Sequence, residues 1–274
     1  MYYETLVALH GVLDRHPWTE HVTCDDQGSE LFDLAMNRSD AYGWYSTGGW
    51  TYPYRGWGEA RIVVQDPGRW ADCGAGGDWT QDGRVRELAW MSADIPLDVR
   101  EPRPPVLHIA RILSDAVHRL GRVRFTGLHA VLPVGELAGD ASDALAAMRR
   151  WFALADPSRS VPVSVTVADG PALPEKAAAV RDAMRGRLGD VADVEVATGE
   201  VDLSGLADVH GEHGYNKSRE RGVLRLACRT REWSPDVAVW LVEAVGDALR
   251  AVGHAERAVV TASSAAPPPA AGGR

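Results

Sequence analysis

Apolar side chains recur at i, i+3, i+4 and i+7 in PPVLHIARILSDAVHRLG, through Val106, Ile109, Leu113, Ala116, Val117 and Leu120. That spacing predicts an amphipathic helix, and Gly121 supplies its stop. SPDVAVWLVEAVGDALRAVG repeats the pattern, with Val237, Leu241, Val245, Ala248, Leu249 and Val252 on one face. Ser234 is a good N-cap there, Pro235 suits the first helical position, and Gly253 ends the run. Each helix leads into a β-like run (122–134 and 256–262), and each follows one (84–95 and 222–230).

Further upstream, 174–188 predicts a helix on Ala177, Val180, Met184 and Leu188, followed by the strand 191–197. Residues 2–15 read as a helix on Leu6, Leu9, Val12 and Leu13, with a strand near EHVTC, although TLVALHGVL also suits a strand. Both halves then run helix, strand, long excursion, strand, helix, strand. A strand over 161–168 and a helix around 141–155 join them. This spacing is that of a split β-α-β unit of the ferredoxin-like kind used twice. The expected fold class is therefore α+β, with two ferredoxin-like repeats, their antiparallel sheets packed together and helices outside. The first repeat spans 1–135, with a Trp/Tyr-rich insertion at 42–80. The second spans 136–263, with a His-rich loop at 208–221. The order of elements is similar to that of the dimeric α+β-barrel superfamily, whose members include small-molecule cyclases, cofactor-free monooxygenases and haem enzymes.

Composition narrows the class. Of the 274 residues, 45 % are hydrophobic and 24 % charged, which are ordinary globular values. A net charge of −9 argues against nucleic acid as a partner, because phosphate attraction needs a basic face. The one dense basic patch, Lys217, Arg219 and Arg221, is interrupted by Glu220 and reads as a solvated loop. Three distant cysteines (Cys24, Cys73, Cys228) form no C-x-x-C and suggest neither a disulfide framework nor a zinc site. MYYETLVALHGVLDRHPW lacks a basic n-region and carries Glu4 and Asp14, so no signal peptide is expected. No apolar stretch reaches the length of a membrane span. These observations predict a cytoplasmic location without a membrane partner. Residues 264–274, rich in Ala and Pro, are expected to be a disordered tail.

Chemistry concentrates in the two excursions. Between Tyr42 and Trp57 seven of sixteen residues are Trp or Tyr, in a chain only 7 % aromatic. In Trp50-Thr51-Tyr52-Pro53-Tyr54 the rings alternate, so a strand would put three on one face. Trp44, Trp50, Tyr52, Tyr54 and Trp57 are candidate substrate-binding residues, since aromatic faces with polar edges suit planar ligands. The same rings would serve equally as a homodimer contact or as a plug at the sheet end. The second excursion gathers His210, Glu212, His213, Tyr215, Asn216 and Lys217 within eight positions. His210, His213 and Lys217 are candidate catalytic groups for proton transfer and charge stabilisation, with Tyr215 and Asn216 beside them as binding residues.

No third ligand accompanies His210 and His213, so no metal is expected, and no cofactor motif is present. GAGGDW reads as a turn. His108 and His118 fall on the polar side of their helix, His129 falls on a strand as a core histidine, and His10 has no assigned role. The expected function is a biosynthetic enzyme of specialised metabolism, of cyclase, isomerase or lyase type, acting on an aromatic or planar small molecule. An oxygenase with or without haem, and a non-catalytic partner protein, are the alternatives.

Overall fold

The protein is seen in a computed structural model that describes residues 2–22, 29–42, 71–96, 103–137, 141–168, 173–199, 202–207 and 223–264. Its centre is one antiparallel sheet of eight strands in the order β2-β3-β1-β4-β8-β5-β7-β6. The strands are β1 (Tyr2–Arg15), β2 (Ala71–Gly76), β3 (Arg86–Pro96), β4 (Gly121–Leu132), β5 (Val161–Ala168), β6 (Ala192–Val196), β7 (Leu224–Thr230) and β8 (Ala258–Ser264). Among the described residues five α-helices accompany them: α1 (Ser29–Tyr42), α2 (Val106–Leu120), α3 (Ser142–Phe152), α4 (Ala177–Leu188) and α5 (Pro235–Ala251). The α+β class is as the sequence predicts. The arrangement of the sheet is not, because the two sets of strands do not pack face to face. They join edge to edge where β4 pairs with β8, from Gly127 opposite Ser263 to Leu132 opposite Ala258. Every strand in the interior of the order thereby finds partners for both rows of backbone N–H and C=O groups.

The N-terminal run is a strand, not a helix. Val7, Leu9 and Leu13 enter the core beneath the helices, while Leu6 and Ala8 enter a second apolar cluster on the opposite face. A strand buried on both faces reads as a continuous apolar run, which periodicity alone does not separate from a helix. Pairing with β3 on one side and β4 on the other decides it. The strand sought in EHVTC is also absent over its described part. Pro17–Thr19 form a 3-10 turn, which His16 precedes in extended conformation.

The helices line one face of the sheet. Ile109, Leu113 and Val117 of α2 and Leu241, Val245 and Leu249 of α5 share a single core with Leu9, Met91, Leu128, Leu226 and Val260. α3 packs on α4 and α5 as an outer layer. α5 begins as its sequence requires, with Ser234 Oγ accepting from the Val237 N–H at 3.3 Å and Pro235 at the first position. All thirteen residues from Val237 to Leu249 are buried. Each fully buried Leu or Val contributes about 1.5–3 kcal/mol of apolar burial, which makes α5 the central prop of the second half. Two carboxylates share that buried stretch: Arg103 pairs with Glu243, while Arg187 and Arg250 hold Asp247.

The excursions do not occupy equivalent places. The first leaves the described residues after α1 and returns at β2, whereas the second lies between β6 and β7. Trp79, inside the expected insertion, is a core residue that is 6 % exposed and donates its Nε1–H to the Leu88 carbonyl at 2.8 Å. The GAGGDW segment is only partly a turn, since Gly74, Ala75 and Gly76 belong to β2. Gly76 is required there, because a Cβ would meet the Trp90 indole nitrogen at 2.8 Å.

Candidate functional site

None of the ten residues singled out by the sequence lies among the described residues. Trp44, Trp50, Tyr52, Tyr54 and Trp57 fall in 43–70, and His210, His213, Tyr215, Asn216 and Lys217 fall in 208–222. The described residues nonetheless contain a polar constellation, on the sheet face opposite the helices.

Residues directly opposite one another in an antiparallel sheet project to the same side. One row across this face runs Trp90 (β3), Ala8 (β1), His129 (β4), Thr261 (β8), Thr166 (β5) and Arg225 (β7). The next row runs Glu87, His10, Gly127, Ser263 and Ser164. β-bulges flank His10 on both pairings, between Leu9 and His10 toward β3 and between His10 and Gly11 toward β4. Bulges re-aim side chains, and here they bring Glu87 opposite His10. Beyond the bulge, Arg124 stands opposite Val12 on the same face.

The two rows are buried where they cross the middle of the sheet, on β1, β4 and β8, and half-buried at Trp90 and Glu87 on β3. His10 is 1 % exposed, His129 5 % and Ser263 0 %. Thr166 and Thr261 share a hydrogen bond of 2.5 Å between their hydroxyls. The Trp90 indole lies against Gly74 and Gly76 of the edge strand. Leu6, Ala8 and Val131, with Trp90 and Val259, give the face its apolar part.

A segment of the second half crosses this face as a strap. Thr126 Oγ1 donates to the Gly205 carbonyl at 2.6 Å, and the Ala207 N–H donates to His10 Nδ1 at 3.2 Å. Leu206 fills the space above Gly127, where a Cβ would come within 2.6 Å of its methyl, so glycine is needed for this approach. The strap ends at Ala207, the last described residue before the His-rich segment, and this end is fixed to His10.

Electrostatics separates the groups. Burial pushes the His10 imidazole down to about 4, so it is neutral at physiological pH. Burial, and then the like charge of Asp78, push the Glu87 carboxyl up to about 7. A carboxyl and an imidazole with displaced values, on paired positions of one row, form the pattern of an acid–base site. Glu243 on α5 is likewise pushed up to about 7 by burial, against the opposing pull of Arg103. The cavity beside it, lined by Arg103, Leu132, Asp247 and Arg250, has a volume of about 10 Å³, room for no more than about one water. That cluster props the helix layer. Cys228 is a buried thiol pushed up to about 12, which leaves it unreactive.

His10 and Glu87 went unassigned in the sequence because neither sits in a motif. The available signal was weak: a lone histidine in the apolar run TLVALHGVL and a lone glutamate in RELAWM. Among the described residues no cluster of three or more His, Cys, Asp or Glu could hold a metal ion, and no helix is long and apolar enough to cross a membrane. Comparison with known protein families, with curated proteins and with solved structures finds no match to this chain.

Proposed function

We propose that the protein is a small-molecule enzyme carrying out acid–base chemistry, of the isomerase, cyclase or lyase type, on a planar substrate bound at the sheet face opposite the described helices, over β3, β1, β4 and β8. Within this reading the fold is two ferredoxin-like repeats, 1–135 and 136–263. The strand orders β2-β3-β1-β4 and β6-β7-β5-β8 support it, since each places its first and third strands side by side in the middle. The repeats meet along β4 and β8, and the substrate face straddles that seam. A biosynthetic role in specialised metabolism is the setting that such chemistry suits.

The observation that carries the proposal is the buried His10 with the half-buried Glu87 opposite it in one row, next to Trp90 and His129. Packing alone does not call for it, because buried polar groups cost free energy that apolar residues of similar size would not. Trp90 supplies a flat apolar surface, and Glu87, near half-ionised at neutral pH, is suited to take up and return a proton. Rings from 43–70 and the imidazoles of His210 and His213 would extend the same site, in the roles of binding and proton transfer.

A thermal-shift screen of planar aromatic and polyene metabolites tests the binding half. A ligand at 100 times its dissociation constant stabilises by about 2.7 kcal/mol, and Trp90→Ala and His129→Ala should each abolish that gain. A panel without a hit, or hits indifferent to both substitutions, would overturn the assignment.

A further inference from the structure

We infer that His10 is held as a fixed hydrogen-bond donor to a substrate carbonyl oxygen, with Glu87 opposite as the base that takes a proton from the adjoining carbon. The inference rests on the acid–base reading above and gives it a substrate class, enolisable carbonyl compounds.

A neutral imidazole carries one N–H, and the hydrogen bond at one nitrogen decides where it sits. The backbone N–H of Ala207 points at His10 Nδ1, 3.2 Å away, so that nitrogen must present its lone pair. The ring proton is therefore on Nε2. Adding a second proton at Nδ1 would set two hydrogens against each other, in a place with 1 % exposure. The ring consequently cannot serve as a general base through Nδ1, and it stays neutral far below physiological pH. Nε2 is buried and has no hydrogen-bond partner among the described residues. The side chain is thus a prepared donor without an acceptor. One step beyond it on the same face, the buried Nε of Arg124 is a second donor in that condition, and its guanidinium favours negative charge.

The groups around Glu87 complete the arrangement. His10 lies opposite it on β1, and Asp78 from the connection between β2 and β3 adds negative charge while paired with Arg86 at 3.0 Å. In the step these groups support, the Glu87 carboxylate removes a proton from the carbon next to the carbonyl. The C–H pair becomes the new C=C bond, and the carbonyl π pair moves onto oxygen. That enolate oxygen accepts the hydrogen bond from His10 Nε2–H, without proton transfer from the imidazole. The Glu87 carboxylic acid then returns its proton to the same carbon or to a conjugated one. The outcome is an isomerisation with no net oxidation. A carboxylate base beside a neutral imidazole is a known solution for polarising a carbonyl.

The tautomer is read on the intact protein by ¹⁵N NMR of labelled histidine, with the His10 signal assigned from His10→Gln. Nδ1 should be unprotonated and Nε2 protonated at neutral pH. The oxyanion site is read with 4-nitrophenol, a planar enolate mimic whose ionisation is visible. Bound probe should be phenolate at a pH where free probe is phenol. His10→Phe should weaken phenolate binding about tenfold or more, and His10→Gln, which keeps an N–H near Nε2, should stay within about threefold. An Nδ1–H tautomer or an imidazolium at neutral pH would overturn the inference. So would a probe that fails to bind or ignores His10→Phe. If metabolite binding is lost in Trp90→Ala and His129→Ala while His10 shows the other tautomer, the acid–base function stands and only the donor role falls.

Discussion

Two regions of the sheet face opposite the described helices, β1 with β4 and β7 with β6, differ sharply although the strands of their halves follow the same order. Over β1 and β4 this face is closed to water: Leu6, Ala8, His10, His129 and Val131 are all at most 5 % exposed. Over β7 it is open, and Arg225, Ala227 and Arg229 are exposed in strict alternation with buried Leu224, Leu226, Cys228 and Thr230. Asp193 and Glu195 on β6 continue that wet surface opposite Arg229 and Ala227. β7 and β6 thus behave as ordinary antiparallel strands, with one face in the core and one in water. The first half buries both faces and still keeps histidines on the second. Polar groups on a wet face need no explanation, whereas polar groups on a dry one need a structural or chemical reason. That contrast, more than any motif, locates the candidate site.

The comparison is broken most directly by truncating one residue on each side. Leu6→Ala, on the dry face, should cost about 2–5 kcal/mol in urea unfolding. Next in size is the pH dependence of His10. Its folded value, about 4, lies below the ordinary 6.5, so between these values the folded state binds fewer protons than the unfolded one. Stability from neutral His10 is complete above 6.5, declines as pH falls, and is gone below 4, a span of about 3 kcal/mol. His10→Gln should remove that slope from unfolding curves measured between pH 4 and 7. Glu87 and Glu243 act with the opposite sign. Their folded values are raised, so their contribution is complete below 4.5 and is lost as pH rises through about 7. Glu87→Gln should therefore flatten the decline on the neutral side, seen in the same curves.

Gly76→Ala sharpens the comparison at the edge of the dry face. Its Cβ would press on Trp90 at 2.8 Å, and a loss of about 1–3 kcal/mol is expected. Smallest is the control on the wet face, where Arg225→Ala should change stability by no more than about 0.5 kcal/mol. Equal losses for Leu6→Ala and Arg225→Ala would erase the distinction between the halves.

The same contrast explains what was legible beforehand. β7 alternates, α2 and α5 carry full helical periodicity, and α5 has its Ser234 cap, so local pattern and tertiary role agree. β1 misleads because burial on both faces removes alternation, leaving a run that suits a helix as well. The aromatic and His-rich excursions were visible by composition, and the ten candidate residues in them lie outside the described ones. His10 and Glu87 are 77 positions apart and share a row only because β1 pairs with β3 through a bulge. No local window contains that information.

The amino-acid sequence by itself determined the α+β class, the two strongest helices with their ends, and most of the strands, since each depends on neighbours within a few turns. Tertiary structure alone decided that the strands form one sheet, that β1 lies inside it, and that a second-half strap closes over His10. The physical reason is range. Periodicity and capping are local, whereas strand register, burial on a second face and a displaced protonation equilibrium arise only when distant segments exclude water from one another.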